Sequence, residues 1–195
     1  IFTESDLPYN RSWAFNVGLK EASTNSIVFG DSDIIMDPGK LIAAITELKN
    51  YEAVNPYSRV IDLTPDELNI PMSEIFKIDR PGRGDKDNQK INFSGGIVCI
   101  RKDAALNIGA YDESFISWGC EDNFLTEKIF RFLKHKQMNA NSYHLWHPQE
   151  QINQQLYGRN LQILNDMLKM SDEQMLAYVH STYPLIGNKS KYTNF

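Results

Sequence analysis

Asp31 and Asp33 stand two residues apart directly after the short apolar run Ile27-Val28-Phe29, with only Ser32 between them. Two carboxylates at i and i+2 on a tight turn can converge on one divalent cation, and that cation can also take two oxygens of a diphosphate. Aspartate is common in turns for its own backbone hydrogen bonds, so the spacing alone says little. What marks this pair is its place at the end of a strand, where an α/β fold exposes its ligands. Farther along, His144-Leu145-Trp146-His147 sets two imidazoles three residues apart beside an apolar body. Both can reach one metal, and imidazole suits borderline ions such as Mn2+ better than Ca2+. The plainer alternative is an aromatic strand edge with incidental histidines. A third group, Trp118-Gly119-Cys120-Glu121-Asp122, puts a stacking surface and a flexible joint before two adjacent acids. Acids in a first helical turn ordinarily complement the helix dipole. A Trp and a Gly there also suit a sugar ring and a loop that closes over it, and a carboxylate beside a sugar hydroxyl can take its proton as the hydroxyl attacks.

These side chains need elements to hold them. Residues 10–22 carry Trp13, Ala14 and Val17 at helical spacing behind a capping Asn10, which predicts an amphipathic helix. Ser26-Ile27-Val28-Phe29 reads as a buried strand entering the acidic turn, and Pro38 opens a second helix to about residue 49. Residues 53–60 predict another strand, and Thr64-Pro65-Asp66-Glu67 a capping-box start to a short helix. The charged, aperiodic stretch 80–90 predicts a mobile surface loop. Strand returns over 95–101, then a short helix over 103–108, then a helix over 121–134 with Phe124, Ile129, Phe132 and Leu133 inward. An extended segment leads through 142–147 until Pro148 stops it. Residues 150–178 are mostly helical, with Ser171 and Gln174 offering a second capping box, and the tail from 184 is expected to be loosely held. Alternating strands and helices predict an α/β architecture.

With 195 residues, 42% of them apolar, the chain has the size and core of one ordinary domain. Its 20 basic and 25 acidic side chains give a net charge of -5 and no basic tract, which argues against nucleic acid as partner. Any bound phosphate must be neutralised locally. No apolar run reaches the roughly 18 to 20 residues of a membrane span, and no signal-peptide layout opens the chain. The expectation is a soluble, cytoplasmic domain, with a peripheral place at the inner membrane face as the alternative. Cys99 and Cys120 have no paired spacing and read as unreactive thiols. The opening Ile-Phe-Thr-Glu, without Met, reads as a fragment or trimmed start.

Six short motifs then fall in order: Tyr9-Asn10-Arg11, Asn16-Val17-Gly18, Asp31-Ser32-Asp33, Phe93-Ser94-Gly95-Gly96, Trp118-Gly119-Cys120-Glu121-Asp122 and His144-Leu145-Trp146-His147. Over about residues 9–148 the chain resembles the galactosyltransferase-related GT-A glycosyltransferases, the group of the animal β-1,4-galactosyltransferases and the GT-A domains of bacterial chondroitin polymerases. The resemblance implies a GT-A (nucleotide-diphospho-sugar transferase) fold, a mixed sheet flanked by helices, truncated at its N-terminus because the family's first strands would precede Ile1. It implies one partial catalytic domain over 1–195, in which 1–50 ends the nucleotide-binding half, 51–150 forms the acceptor and metal half, and 151–195 is a helical extension.

Carried over by position, the resemblance makes Asp33, His144 and His147 ligands of Mn2+, with Mg2+ tolerated, and His144 stands where the animal enzymes have methionine. It puts Asp31 near the donor ribose or the metal's waters, Tyr9 and Arg11 at the nucleotide, Gly95 and Gly96 against the donor sugar, and Phe93 in the wall of that pocket. Trp118 would close over donor and acceptor, Glu121 would bind the acceptor, and Asp122 would be the base of an inverting transfer. Cys120 stands where the animal enzymes have glycine. The activity implied is metal-dependent transfer of a hexose or N-acetylhexosamine from a UDP-sugar to a carbohydrate hydroxyl, as in polysaccharide biosynthesis, with self-association through the truncated N-terminal surface. Two rivals remain: a sugar- or nucleotide-binding module without turnover, and a metal-dependent phosphoesterase using Asp31, Asp33, His144 and His147.

Overall fold

The computed structural model describes residues 9–85, 91–93, 95–148 and 151–192. In chain order its main elements are α1 (Arg11–Glu21), β1 (Ser26–Gly30), β2 (Ile34–Met36), α2 (Pro38–Glu47), β3 (Ala53–Asn55), β4 (Arg59–Asp62) and α3 (Met72–Ile75). There follow β5 (Ile97–Arg101), α4 (Lys102–Asn107), α5 (Glu121–Phe132), β6 (His135–Gln137), β7 (Asn141–His144), α6 (Gln154–Leu168) and α7 (Asp172–Thr182). The chain divides into two compact units: Ile1–Ile27, Lys102–Phe132 and Gln151–Phe195 form unit 1, and Val28–Arg101 with Leu133–Glu150 form unit 2.

Two mixed sheets carry the strands, one ordered β1-β5-β3-β6 and the other β2-β7-β4. Along β1 the buried Ile27 and Phe29 alternate with exposed neighbours, the pattern of a strand covered on one face. The central β3 pairs antiparallel with β5 and parallel with β6, and all three of its residues are buried. α2 covers it, packing Ala44 and Leu48 on Val54 and Cys99; Pro38 occupies its first turn, and Asp37 accepts from the Lys40 N–H at 3.0 Å. Residues 53–60 are not one strand as expected. Pro56 has no N–H to give a ladder, so the chain leaves the first sheet after Asn55 and joins the second at Arg59.

The helix at Thr64 is a single 3-10 turn over Asp66–Asn69, with only one arm of the capping box: Glu67 accepts from the Thr64 N–H at 2.7 Å. The loop expected to be mobile is tied down over 80–85. Arg83 bridges Val60 through the backbone, Arg59 pairs with Asp85 at 2.9 Å, and Arg83 pairs with Asp62 at 2.9 Å. Its remainder, 86–90, lies outside the described residues.

In unit 1 the Asn10 side chain accepts from the Trp13 N–H at 2.8 Å and caps α1. α5 and α6 enclose a core of Phe115, Cys120, Phe124, Leu164, Met167 and Met175. On α5, Phe124 and Ile129 face inward as expected, whereas Phe132 is only half-buried and the helix ends there, short of Leu133. Leu125 and Lys128 take the inward places instead. Lys128 is fully buried, donates to the Ala110 carbonyl at 2.5 Å, and has its ammonium pKa lowered to about 8 by burial. α7 carries the full Ser171–Gln174 capping box. The tail, expected to be loose, is docked on the same unit. Trp13 Nε1 donates to the Asn188 carbonyl at 2.8 Å, Ile186 is buried, and Lys189 pairs with Glu21 at 2.8 Å.

Candidate functional site

Of the twelve residues singled out above, seven lie in unit 2 and five in unit 1, and each unit gathers its own cluster. In unit 2 the acidic turn 31–33 runs from β1 into β2, and the antiparallel β2–β7 ladder sets Ile34 opposite His144. The Leu145 N–H donates to the Asp33 carbonyl at 2.7 Å, which extends that pairing by one step. Asp33, His144 and His147 thereby converge, each offering a ligand atom within 4.8 Å of the others. Asp33 Oδ2 lies 3.5 Å from His144 Nε2 and 3.2 Å from His147 Nε2. Both rings have their other nitrogen engaged: His144 Nδ1 lies 3.2 Å from Asp62 Oδ1, and His147 Nδ1 lies 2.9 Å from the Pro148 carbonyl. A carboxylate and a carbonyl can each accept from Nδ1, and with the proton there each Nε2 offers its lone pair to an ion. Two imidazoles and one carboxylate, all partly open to solvent, fit a borderline divalent cation such as Mn2+.

Asp31 is turned elsewhere. Its Oδ2 accepts from the Gly96 N–H at 2.9 Å and its own N–H donates to the Gly96 carbonyl at 3.0 Å. Gly95 and Gly96 adopt φ of 80° and 75°, and a Cβ on Gly96 would lie 1.9 Å from the Tyr57 hydroxyl. Only glycine allows that approach. Tyr57 donates to the Gly95 carbonyl and accepts from the Ile97 N–H, both at 3.0 Å. Phe93 is 2% exposed, with its ring edge-on to His135, so it packs within the unit. Ser94 lies outside the described residues.

In unit 1 the second cluster forms where α1 meets the start of α5. The Asn10 and Asn16 side chains donate to the Glu113 and Tyr111 carbonyls at 2.9 and 2.8 Å, which fixes α1 against the 111–113 backbone. Arg11 Nη1 then reaches Glu121 Oε1 at 3.1 Å and Asp122 Oδ1 at 2.9 Å. Its guanidinium lies over the rings of Phe15 and Tyr111, 4.7 and 5.7 Å from their centroids. The Tyr111 hydroxyl donates to Asp122 Oδ1 at 3.3 Å. Glu121 is buried, and among the described residues its Oε2 has no hydrogen-bond partner. Burial first, and the Asp122 charge second, push its carboxyl pKa up against the pull of Arg11.

The approach to these acids is a turn with three left-handed residues, Ser117, Gly119 and Cys120. Asn160 of α6, fully buried, holds it by donating to the carbonyls of Ile116 at 2.9 Å and Gly119 at 3.1 Å. Trp118 is 59% exposed beside the Tyr157 ring, and the Tyr9 carbonyl accepts from the Ser117 N–H at 2.8 Å. Both thiols are buried with raised pKa values, Cys99 to about 12, as expected of unreactive cysteines. Asp62, Tyr111 and Asn160 were not among the expected residues. Asn160 alone carried a signal, being a polar residue on the apolar stripe of Leu164 and Met167.

No family model matches the chain, and neither does any curated protein. Solved structures do. GalNAc-T7 with UDP, GalNAc and Mn2+ superposes with a TM-score of 0.55 at 13% identity, over 90% of this chain and 41% of that one. A mutant Drosophila β1,4-galactosyltransferase 7 in complex with manganese, UDP-Gal and xylobiose gives 0.50 at 16% identity, over 87% and 64%. The chain spans less than two thirds of either neighbour. At such identities the likeness is one of fold: the mixed sheets with flanking helices have the GT-A fold.

Proposed function

We propose that this chain is the catalytic part of a metal-dependent inverting glycosyltransferase that moves a hexose or N-acetylhexosamine from a UDP-sugar to a carbohydrate hydroxyl. The observation that carries this reading is the convergence of Asp33, His144 and His147 at the strand ends of a GT-A fold. Mn2+ is named with both neighbours, and bound to these three residues it would offset the charge of the donor diphosphate and of the departing UDP.

In unit 2, Gly96 holds Asp31 clear of the three ligands, leaving its carboxylate to face ribose or water rather than the ion. In unit 1, Asp122 takes the acceptor proton as that oxygen bonds to the anomeric carbon and the bond to UDP breaks. Arg11 and Tyr111 fix the carboxylate for this role. Glu121, drawn toward its neutral form by burial, suits a hydrogen bond to the acceptor. The exposed Trp118 face offers a stacking surface to a sugar ring. A cytoplasmic setting goes with this reading; no helix among the described residues is long and apolar enough to cross a membrane.

The test is UDP release from a panel of UDP-hexoses and UDP-N-acetylhexosamines with Mn2+, with and without carbohydrate acceptors. Acceptor-dependent release that chelator abolishes supports the reading. Binding without release would point to a non-catalytic module, and acceptor-independent cleavage of simple phosphoesters to a phosphoesterase.

A further inference from the structure

Asp62 has no part in the roles above, yet it touches one of the three cation-type side chains. The parallel β4–β7 ladder pairs Asp62 with His144, and the Leu63 N–H donates to the His144 carbonyl at 2.9 Å. Side chains alternate along a strand, so residues paired across a ladder emerge on the same face. The preceding pair, Ile61 and Tyr143, is buried on the other face. The register therefore leaves Asp62 beside the imidazole, 3.2 Å from Nδ1.

Asp62 is itself anchored. Arg83 Nη2 donates to its Oδ1 at 2.9 Å, Arg80 Nη2 donates to its carbonyl at 2.7 Å, and the Arg83 backbone pairs with Val60 in both directions at 2.9 and 2.8 Å. A carboxylate paired with a guanidinium and set against the Nδ1 side of the ring is poorly placed to become a fourth ligand. It is well placed to orient one. His147 has only a neutral carbonyl in the corresponding place, so of the two rings His144 is the one whose Nδ1 faces an anionic partner.

We propose that Asp62 is a positioning residue for the divalent-cation site, holding the proton on His144 Nδ1 so that Nε2 faces the ion beside Asp33. The inference rests on reading Asp33, His144 and His147 as that site. Loss of such an outer carboxylate typically weakens metal binding about 10- to 100-fold. Asp62→Leu should show that loss in a calorimetric titration with Mn2+. Asp62→Asn, which can still accept from Nδ1–H, should lose less, and Asp66→Asn, an exposed charge control, should stay within about threefold of wild type. Nitrogen-15 spectra of the metal-free chain at about pH 8, where an ordinary imidazole is neutral, should show His144 as the Nδ1–H tautomer in wild type and a loss of that preference in Asp62→Leu. Wild type that binds no Mn2+ overturns the cation reading and this inference together. Wild type that binds while both Asp62 variants bind equally well overturns the inference alone, as does an unchanged His144 tautomer in Asp62→Leu.

Discussion

The cluster of unit 2 and the acid pair of unit 1 are built on opposite physical plans. Asp33, His144 and His147 sit partly open to solvent at the ends of β-ladders, and backbone pairing and local acceptors settle where they point. Glu121 and Asp122 are largely enclosed, follow a turn with left-handed residues, and depend on side chains from distant positions: Arg11, Tyr111 and Asn160. The open cluster waits for a charge to arrive. The enclosed pair already holds one cation and shares it. Ion affinity should therefore respond to the three ligands and to Asp62 beside His144, whereas the state of the acids should respond to any change in burial or in Arg11.

Substitutions in unit 1 that leave ion binding intact sharpen this contrast. The largest effect is expected from Asp122→Asn, which keeps the hydrogen bond from Arg11 but removes the base. Single-turnover transfer at saturating donor should fall by roughly 100-fold or more, with Mn2+ affinity unchanged; near-normal chemistry would remove Asp122 from the mechanism. Next is Asn160→Leu, which leaves the Ile116 and Gly119 carbonyls without their amide donor in a buried turn. Chemical denaturation should show a loss of about 2 to 3 kcal/mol, and titration the same Mn2+ affinity as wild type. A weakened ion site in this variant would break the comparison.

The smallest effect concerns charge. Glu121 has its folded pKa raised, mainly by burial and then by Asp122. The folded chain therefore binds more protons than the unfolded one between the ordinary glutamate value and the raised one, and stability falls as pH rises through that window. Glu121→Gln removes the penalty. The variant should gain stability at neutral pH in chemical denaturation, and the gain should vanish below the ordinary glutamate range. A gain that persists in acid would show that charge is not its origin.

What the sequence made legible was local. The Asn10 cap, Pro38 at the start of α2 and the Ser171 capping box each depend on residues within one or two turns of each other, and each stands where expected, whereas β1, read as a buried strand, is covered on one face only. The three-residue β2 is too short to show a period, and Pro56 inside 53–60 breaks the ladder that its apolar neighbours suggest. Asp62 was out of reach because its neighbour His144 is set by the register of a parallel ladder between segments far apart in sequence. The docked tail depends on distant partners in the same way. Lys128 lies four residues after Phe124 and one before Ile129, inside the apolar stripe of α5, where a lysine is rarely enclosed without a partner. The motif residues Asn10 and Asn16 proved to hold backbone as well as to accompany Arg11.

The central claim is that Asp33, His144 and His147 hold a divalent cation on which a nucleoside diphosphate lands. Pulsed electron paramagnetic resonance of the chain loaded with Mn2+ tests it directly, because the ion reports the nuclei bound to it. The account predicts coupling to two imidazole nitrogens, reduced to one by either His144→Ala or His147→Ala, and a phosphorus coupling that appears when UDP is added. A bound Mn2+ that shows no imidazole nitrogen, or no phosphorus with UDP present, would contradict it.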